Sequence, residues 1–139
     1  MIILDTNVIS EFMRDDPDPA VVTWLDGQPR ASVWTTSINV YEIRAGLHAM
    51  PAGKRRTSRV LTFEYILKEA IQGRIAAFDL EAALQAAELE ASRSARGRPV
   101  DPRDTMIAGI VMASHATLAT RNVKHFEDIA SSVVNPWGA

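Results

Sequence analysis

The first seven residues, Met1-Ile2-Ile3-Leu4-Asp5-Thr6-Asn7, set the interpretation of the whole chain. The apolar run has no polar alternation, which predicts a strand that is buried on both faces, as in the middle of a parallel sheet. Asp5 then stands at the carboxyl end of this strand, the edge at which open α/β sheets bind ligands. A helical pattern starts at Val8, and we expect Thr6 or Asn7 to be its N-cap. The sequence therefore predicts a carboxylate held between a strand end and a helix start.

The composition limits both the size and the chemistry of the protein. The chain has 139 residues, of which 47% are hydrophobic, and this suits one domain over residues 1–139. A net charge of -2 excludes a global positive field, so a nucleic acid would have to meet a local patch. The absence of cysteine excludes thiol nucleophiles and thiolate metal sites. Since the sequence shows no charged leader and no long apolar span, we expect a soluble cytoplasmic protein and no membrane segment.

Strand-like runs alternate with helical patterns along the rest of the chain. The further strand-like runs are 31–36, 74–78, 117–120 and 133–134. This alternation predicts a three-layer α/β/α fold with a mostly parallel sheet of four to five strands. Asp18-Pro19 and Asp101-Pro102 are typical helix starts. In the helix expected over 80–96, one apolar line is expected to face the core, formed by Leu80, Ala83, Leu84, Ala87 and Ala91.

Four polar positions follow, or can fold back towards, the carboxyl edge of the predicted sheet. They are Asp5, Glu42, Asp104 and the segment Thr120-Arg121-Asn122. A right-handed parallel topology could bring them together at a switch point. Three neighbouring carboxylates repel one another, and burial raises their pKa values. Mg²⁺, which carboxylates, waters and substrate phosphates bind, relieves this repulsion and suits phosphodiester hydrolysis.

Each of these residues also has a purely structural interpretation. Asp5 can be a helix cap, and Glu42 can be a solvated helix residue. Asp104 can form a capping box with Asp101, and Arg121-Asn122 can belong to a turn. The order and the setting of the four positions together, rather than any one of them, favour a functional site.

Four segments of the sequence resemble the motifs of PIN-domain ribonucleases. They are Ile3-Leu4-Asp5-Thr6-Asn7-Val8-Ile9-Ser10-Glu11, Tyr41-Glu42-Ile43-Arg44-Ala45-Gly46, Pro102-Arg103-Asp104-Thr105-Met106-Ile107-Ala108 and Leu118-Ala119-Thr120-Arg121-Asn122. With the closing Val134-Asn135-Pro136-Trp137, the resemblance covers essentially the whole chain. It is strongest to VapC-type toxins of bacterial toxin–antitoxin pairs, in the FitB-like subgroup.

This resemblance implies an endoribonuclease that depends on Mg²⁺ or Mn²⁺ and cleaves single-stranded or loop RNA. The residues that would hold the metal are Asp5, Glu42 and Asp104. The hydroxyl groups of Thr6 and Thr120 would support water or ligands. The fourth motif often ends in aspartate, and here it ends in Asn122, whose amide oxygen can coordinate a metal but adds no charge. We therefore expect one weakly bound metal in the free protein, completed by RNA phosphates, rather than two.

Positive charge near the acidic positions would serve RNA phosphates. The candidates are Arg96, Arg98, Arg103, Arg121 and Lys124. Such contacts position RNA but do not specify its sequence. A second basic cluster, formed by Lys54, Arg55, Arg56 and Arg59, fits a solvated helix face better. The three histidines have no metal-ligand spacing, and we expect surface or core positions for them: His48, His115 and His125.

The resemblance also implies protein partners. A cognate antitoxin would cover a groove on the toxin and reach the acidic pocket, and the helical hairpin over 38–72 is the candidate for part of that groove. The toxin itself is expected to be a homodimer, in a larger assembly with the antitoxin. Operator DNA would be bound only through the antitoxin.

Two other functions compete with the ribonuclease. An aspartyl phosphatase of the haloacid-dehalogenase-like kind requires a second aspartate two residues after Asp5, and Asn7 stands there instead. A PIN-like domain that has lost activity could bind only a protein partner or RNA, and Asn122 favours this alternative. The presence of Asp5, Glu42 and Asp104 argues against it. Metal-dependent cleavage would separate the two.

Overall fold

The computed structural model describes residues 1–98 and 100–138. The strands are β1 (Ile2–Leu4), β2 (Val33–Thr36), β3 (Ile75–Ala76), β4 (Thr117–Ala119) and β5 (Val133–Val134). The α-helices are α1 (Thr6–Phe12), α2 (Pro19–Asp26), α3 (Ser37–Ala49), α4 (Lys54–Tyr65), α5 (Leu80–Ala95) and α6 (Pro102–Ser114). A π-helical turn, Ile66–Ala70, extends α4, and single 3-10 turns lie at Arg30–Ser32 and Val123–Phe126. In the part of the chain that the structure describes, no helix is both long and apolar enough to cross a membrane.

The five strands form one sheet in the order β3-β2-β1-β4-β5, and each described pair is parallel. The mostly parallel sheet of four to five strands is thereby confirmed. The chain passes from β1 outward to β2 and β3, and then returns to place β4 on the other side of β1. The strand order consequently reverses at β1, which creates a switch point between the carboxyl ends of β1 and β4.

Helices cover both faces of the sheet, as a three-layer fold requires. Ile3 belongs to the hydrophobic cluster on the side of α5 and α6, whereas Leu4 belongs to the cluster on the side of α1 to α4. Their exposed fractions are 0% and 2%. Successive strand residues point to opposite faces, so β1 is buried on both sides, as its unbroken apolar run predicts.

The prediction of which face of α5 is buried is wrong. Leu80 and Leu84 are 72% and 56% exposed. The buried residues of this helix are instead Ala82, Ala86, Leu89 and Arg93. The helix is rich in alanine and carries apolar residues on more than one face, so periodicity alone does not select the face that packs.

Close contact with α6 selects the buried face of α5. At Gly109 of α6, an added Cβ would lie 2.4 Å from the carbonyl oxygen of Ala82 and 2.8 Å from the Cβ of Ala86. Both distances are shorter than non-bonded atoms tolerate, so only glycine allows this approach. Two small alanines and one glycine therefore set the distance between the helices, and this packing holds the N-terminus of α6 beside the sheet edge.

Candidate active site

Asp5 lies at the carboxyl end of β1 and is only 4% exposed. Its N–H donates to the carbonyl of Ala119 at 2.9 Å, which extends the pairing of β1 with β4. Its Oδ1 accepts from the N–H of Thr6 at 2.8 Å. Asp5 is thus itself the N-cap of α1, and the predicted cap, Thr6 or Asn7, is wrong. The helix starts directly after the strand, so the carboxylate is the group that reaches its first N–H.

Two further side chains fix the Asp5 carboxylate. The hydroxyl of Thr120 donates to Oδ2 at 2.7 Å, and Nδ2 of Asn39 donates to Oδ1 at 3.1 Å. Asn39 is fully buried on α3, and its Oδ1 accepts from the hydroxyl of Thr36 at 2.6 Å. Asn39 was not among the site residues predicted from the sequence. Its position three residues before Glu42 could have revealed it, because residues at this spacing share a helix face.

Thr120 also connects the loop after β4 with α1. Its Oγ1 accepts from Nδ2 of Asn7 at 3.3 Å and from the N–H of Asn122 at 3.1 Å. The N–H of Arg121 donates to Oδ1 of Asn7 at 3.1 Å. Asn122 is exposed at this edge, where its backbone N–H is held by Thr120. The fourth motif therefore lies beside the first, as the switch point requires.

Glu42 is joined to the same cluster through Thr6. The hydroxyl of Thr6 donates to Oε1 of Glu42 at 3.1 Å and accepts from Nδ2 of Asn39 at 3.0 Å. Asn39 in turn contacts Asp5, so one chain of hydrogen bonds runs from Glu42 to Asp5. Glu42 is partly buried. The solvated surface position that was its structural alternative does not describe it.

Asp104, in the first turn of α6, meets a histidine. Nδ1 of His125 lies 3.0 Å from its Oδ2. The His125 side chain is 52% exposed, and it touches the candidate site, although only a surface or core position was expected for it. The N-cap of α6 is Asp101, whose Oδ1 accepts from the N–H of Arg103 at 2.8 Å. Sequence spacing gave no signal for His125, because the contact joins positions 21 residues apart.

Burial raises the pKa values of all three carboxylates, and neighbouring carboxylates raise them further. Burial is the largest cause for Asp5, Glu42 and Asp104 alike. The charge of Asp104 raises the pKa of Asp5 further, and the charges of Asp5 and Asp104 both raise that of Glu42. Hydrogen bonds from Thr120 and from Thr6 oppose the shifts at Asp5 and Glu42, respectively. The three groups therefore share one electrostatic environment, in which a cation would stabilise each of them.

The groups that could bind a metal here are hard oxygen atoms, the ligands that Mg²⁺ prefers. Across residues 1–98 and 100–138, no group of three or more His, Cys, Asp or Glu side chains is arranged to hold a metal ion by itself. Mg²⁺ commonly takes one or two carboxylates and keeps several waters. The coupled carboxylates fit such a partly hydrated ion better than a fully enclosed one.

Arg103 brings a guanidinium close to the acidic cluster. Its guanidinium lies 3.0 Å and 3.2 Å from the two carboxylate oxygens of Asp101, and its Nε lies 3.8 Å from Oε2 of Glu42. The Asp101 carboxylate and its hydrogen bonds raise the pKa of this guanidinium. Asp101 therefore orients the Arg103 guanidinium beside Glu42.

The other predicted RNA-binding residues surround the fourth motif. Arg98 donates to the carbonyl of Lys124 and lies 3.3 Å from the carboxylate of Glu127. The guanidinium of Arg121 stacks 4.9 Å from the ring centre of Trp137. Arg121 and Lys124 are exposed. The structure thus places these cations along one margin, with Arg98 bracing the loop that carries Lys124.

A buried arginine that the sequence analysis missed supports the Asp104 side of the site. Arg93 of α5 is 2% exposed and makes two hydrogen bonds to Asp128, at 2.8 Å and 2.9 Å. It also donates to the hydroxyl of Thr105 at 2.9 Å and to the carbonyl of His125 at 2.8 Å. Thr105 follows Asp104, and His125 contacts it. One guanidinium therefore ties together the two segments that hold this carboxylate.

The Arg93–Asp128 pair predicts how stability depends on pH. The hydrogen bonds from Arg93 lower the pKa of Asp128 from 3.8 to about 2. The stabilisation, about 2 kcal/mol, is fully present above the unfolded pKa and is lost as pH falls through the folded value. Asp128→Asn is expected to lose this pH dependence between pH 5 and pH 2. At pH 7 it should lower the free energy of unfolding by about 3–5 kcal/mol, because Arg93 is left buried without its counter-ion.

Urea denaturation at a series of pH values measures both effects. A variant whose unfolding free energy falls with acid as steeply as that of the wild type would show that Asp128 does not carry the linkage.

Comparison with known proteins identifies the fold family. The family model described as "PIN domain" matches residues 2–131. The chain belongs to the PIN-domain family. VapC ribonuclease Y4jK of Sinorhizobium fredii is 41% identical over 99% of this PIN domain and 98% of its own length. Toxin FitB of Neisseria gonorrhoeae is 34% identical over 99% of both chains.

A solved structure gives the same result in three dimensions. A chain of the FitAB complex bound to an IR36 DNA fragment superposes with a TM-score of 0.89 at 33% identity, covering 100% of this PIN domain and 97% of that chain. The three-layer PIN-like fold and the VapC/FitB toxin family that the motifs indicated are both confirmed.

Proposed function

We propose that residues 1–139 form one PIN domain that acts as a toxin: an endoribonuclease, dependent on Mg²⁺ or Mn²⁺, that hydrolyses single-stranded or loop RNA. The observation that carries this proposal is the buried Asp5 carboxylate at the switch point, electrostatically coupled to Glu42 and Asp104. A relative with 41% identity is named a ribonuclease, which supports the same activity here.

In this proposal Asp5, Glu42 and Asp104 would hold the cation, one or two of them directly and the rest through its bound waters. When bound, the metal activates water for attack on phosphorus and stabilises charge on the leaving oxygen. The protein supplies the orientation. Thr120 and Asn39 donate hydrogen bonds to the Asp5 carboxylate, and the Thr6 hydroxyl donates one to that of Glu42. The orientation of these oxygen ligands is therefore fixed before RNA binds.

Asn122 and the nearby cations complete the proposed site. The Asn122 amide oxygen is an uncharged ligand, so the site carries three carboxylates, which suits one cation rather than two. Arg103 stands beside Glu42, where a guanidinium can bind a phosphate oxygen of the substrate. Arg121, Lys124 and Arg98 extend the positive margin along which the RNA backbone would lie.

The ribonuclease proposal is tested with purified toxin, free of any partner, and a pool of cellular RNA. Discrete cleavage is expected with Mg²⁺ or Mn²⁺ and none with EDTA. Asp5→Asn and Asp104→Asn are each expected to reduce the rate at least about 100-fold, because each removes charge from the metal site. Asp16→Asn, at an exposed position remote from the sheet edge, is the matched control and should cleave like the wild type.

A binding-only PIN domain is the second candidate, and Asn122 is the feature that favours it. Cleavage that is equal in the wild type and both aspartate variants would reveal a contaminant. If the folded wild type cleaves no RNA, the ribonuclease proposal is wrong and the binding-only function replaces it. Asn122→Asp would then show whether a fourth carboxylate restores activity.

We also propose that a cognate antitoxin binds this PIN domain, and that operator DNA is bound through that antitoxin. The FitAB complex, which contains a similar chain, is bound to DNA. A groove of about 560 Å³ supports a helical partner, and its lining includes Phe12, Leu25, Tyr65, Ile66 and Ala70. Apolar grooves of this kind accept the apolar face of an amphipathic helix. Of the hairpin predicted over 38–72, only the second half, α4 with its π-helical turn, supplies one wall, and α1 and α2 supply the other.

The exposed leucines of α5 support the proposal of a homodimer. Leu80 and Leu84 are one helical turn apart and present apolar surface to solvent, which favours self-association. Leu84→Glu is expected to convert the dimer into a monomer, as measured by light scattering after gel filtration. Leu61→Glu places the same charge at an exposed leucine of α4 and is expected to remain dimeric. A dimeric Leu84→Glu protein would contradict this interface.

Filling the proposed antitoxin groove provides a test that leaves the carboxylates untouched. Ala70→Arg is expected to release the antitoxin from a co-purified complex, because a long charged side chain would occupy the apolar groove. A complex that keeps its composition would place the antitoxin elsewhere.

A further inference from the structure

A cleft of about 330 Å³ connects the acidic cluster with part of the second basic cluster. Thr6 and Glu42 line the cleft, and so do Arg55 and Arg59 of α4. The rest of its lining consists of Ser10, Met13, Ile43, Gly46, Leu47 and Met50. These residues advance turn by turn along α1 and α3, so the cleft runs along both helices, away from the carboxylates, for about 12 Å.

Two arginines mark the far end of this cleft. Arg59 donates to the carbonyl of Met13, the cleft residue that follows α1, and this hydrogen bond ties the Arg59 guanidinium to the cleft wall. Arg55 lies one turn earlier on α4 and is exposed. The expected solvated face therefore describes Lys54 and Arg55, which are exposed, whereas Arg56 contacts His48 and Arg59 is held by the cleft wall. Guanidinium groups are well suited to phosphate because their five N–H donors match its oxygens.

Gly46 keeps the middle of the cleft open. It lies inside α3, where glycine costs about 1 kcal/mol relative to alanine. Packing does not require it, because a Cβ at this position would meet no atom within 4 Å. Gly109 is the opposite case, since a Cβ there would collide with α5. Because position 46 has no side chain, the helix backbone is uncovered there and a ligand can approach it closely.

We propose that this cleft binds the RNA strand that flanks the scissile phosphate. Arg55 and Arg59 bind a backbone phosphate, and the strand passes against α3 at Gly46. The proposal rests on the ribonuclease function and adds the path of its substrate. Single-stranded RNA offers both features that the cleft accepts: phosphates for the arginines, and sugar and base faces for the apolar side chains of Met13 and Met50.

The charges at the two ends favour RNA over a segment of a protein partner. A basic protein segment that suits the carboxylates would meet two arginines at the other end of the cleft. An RNA backbone suits the arginines directly and suits the carboxylates through the cation that they are proposed to hold. One RNA strand can therefore interact favourably with the arginines and with the carboxylates, whereas a basic peptide suits only the carboxylates.

Equilibrium binding tests the proposal without cleavage. In an Asp104→Asn background, a fluorescently labelled single-stranded RNA about twelve nucleotides long is titrated with protein in Mg²⁺ and at several salt concentrations. Adding Gly46→Leu, which fills the cleft, is expected to weaken binding roughly tenfold. Adding Arg55→Glu is expected to weaken it by a similar factor, and to reduce the slope of log K against log salt by about 0.7, the loss of one phosphate contact.

Matched controls separate the cleft from general effects of charge and size. Ala45→Leu and Arg56→Glu make the same changes one residue away, outside the cleft lining, and are expected to bind within about twofold of the parent protein. Gly46→Leu introduces a better helix former at a position with free space, so it should fold at least as stably as the parent. Thermal unfolding of each variant measures its stability against that of the parent protein.

Each outcome distinguishes this inference from the proposed function. If the wild type cleaves RNA but Gly46→Leu and Arg55→Glu bind like the parent, the cleft is not the RNA path and the ribonuclease stands. If these variants keep RNA affinity but lose the antitoxin, the cleft belongs to the protein partner and the inference is overturned. If the wild type neither cleaves RNA nor binds it, the inference and the ribonuclease both fail.

Discussion

The burial of one carboxylate constrains the rest of this structure. Removing Asp5 from water raises its pKa and costs free energy unless hydrogen bonds compensate. The compensating donors come from three elements: the first N–H of α1, the side chain of Asn39 on α3 and the hydroxyl of Thr120 after β4. These elements meet at one point only because β4 returns beside β1 and the strand order reverses there. The sheet topology therefore determines where the acidic site forms.

The sequence predicts the parts of this arrangement that depend on local pattern. An unbroken apolar run identifies β1, Asp-Pro pairs identify two helix starts, and the carboxyl ends of parallel strands bring Asp5 and Thr120 together. Long-range packing determines the rest. The buried face of α5 depends on the glycine of α6 that lets the helices touch. Arg93 and His125 reach partners 12 to 35 residues away, and no spacing rule reveals such contacts.

The distribution of charge accounts for how a protein of net charge -2 could handle a polyanion. Its acidic groups at the sheet edge are buried or partly buried, with the guanidinium of Arg103 beside Glu42 and the imidazole of His125 beside Asp104. Along α1 and α3, a cleft leads from this edge to Arg55. Local patches rather than the overall field would therefore guide RNA, and a bound cation would remove the remaining repulsion.

The position at which a divalent cation binds shows whether the switch point is the metal site. Mn²⁺ is paramagnetic and broadens the NMR signals of nearby amides, so a titration of ¹⁵N-labelled protein shows where it binds. The signals of Thr6, Thr105 and Arg121 are expected to broaden first, and Asp5→Asn is expected to abolish this effect. Broadening centred on the exposed acidic pair Asp15 and Asp16, and unchanged in Asp5→Asn, would contradict the assignment of the metal to the switch point.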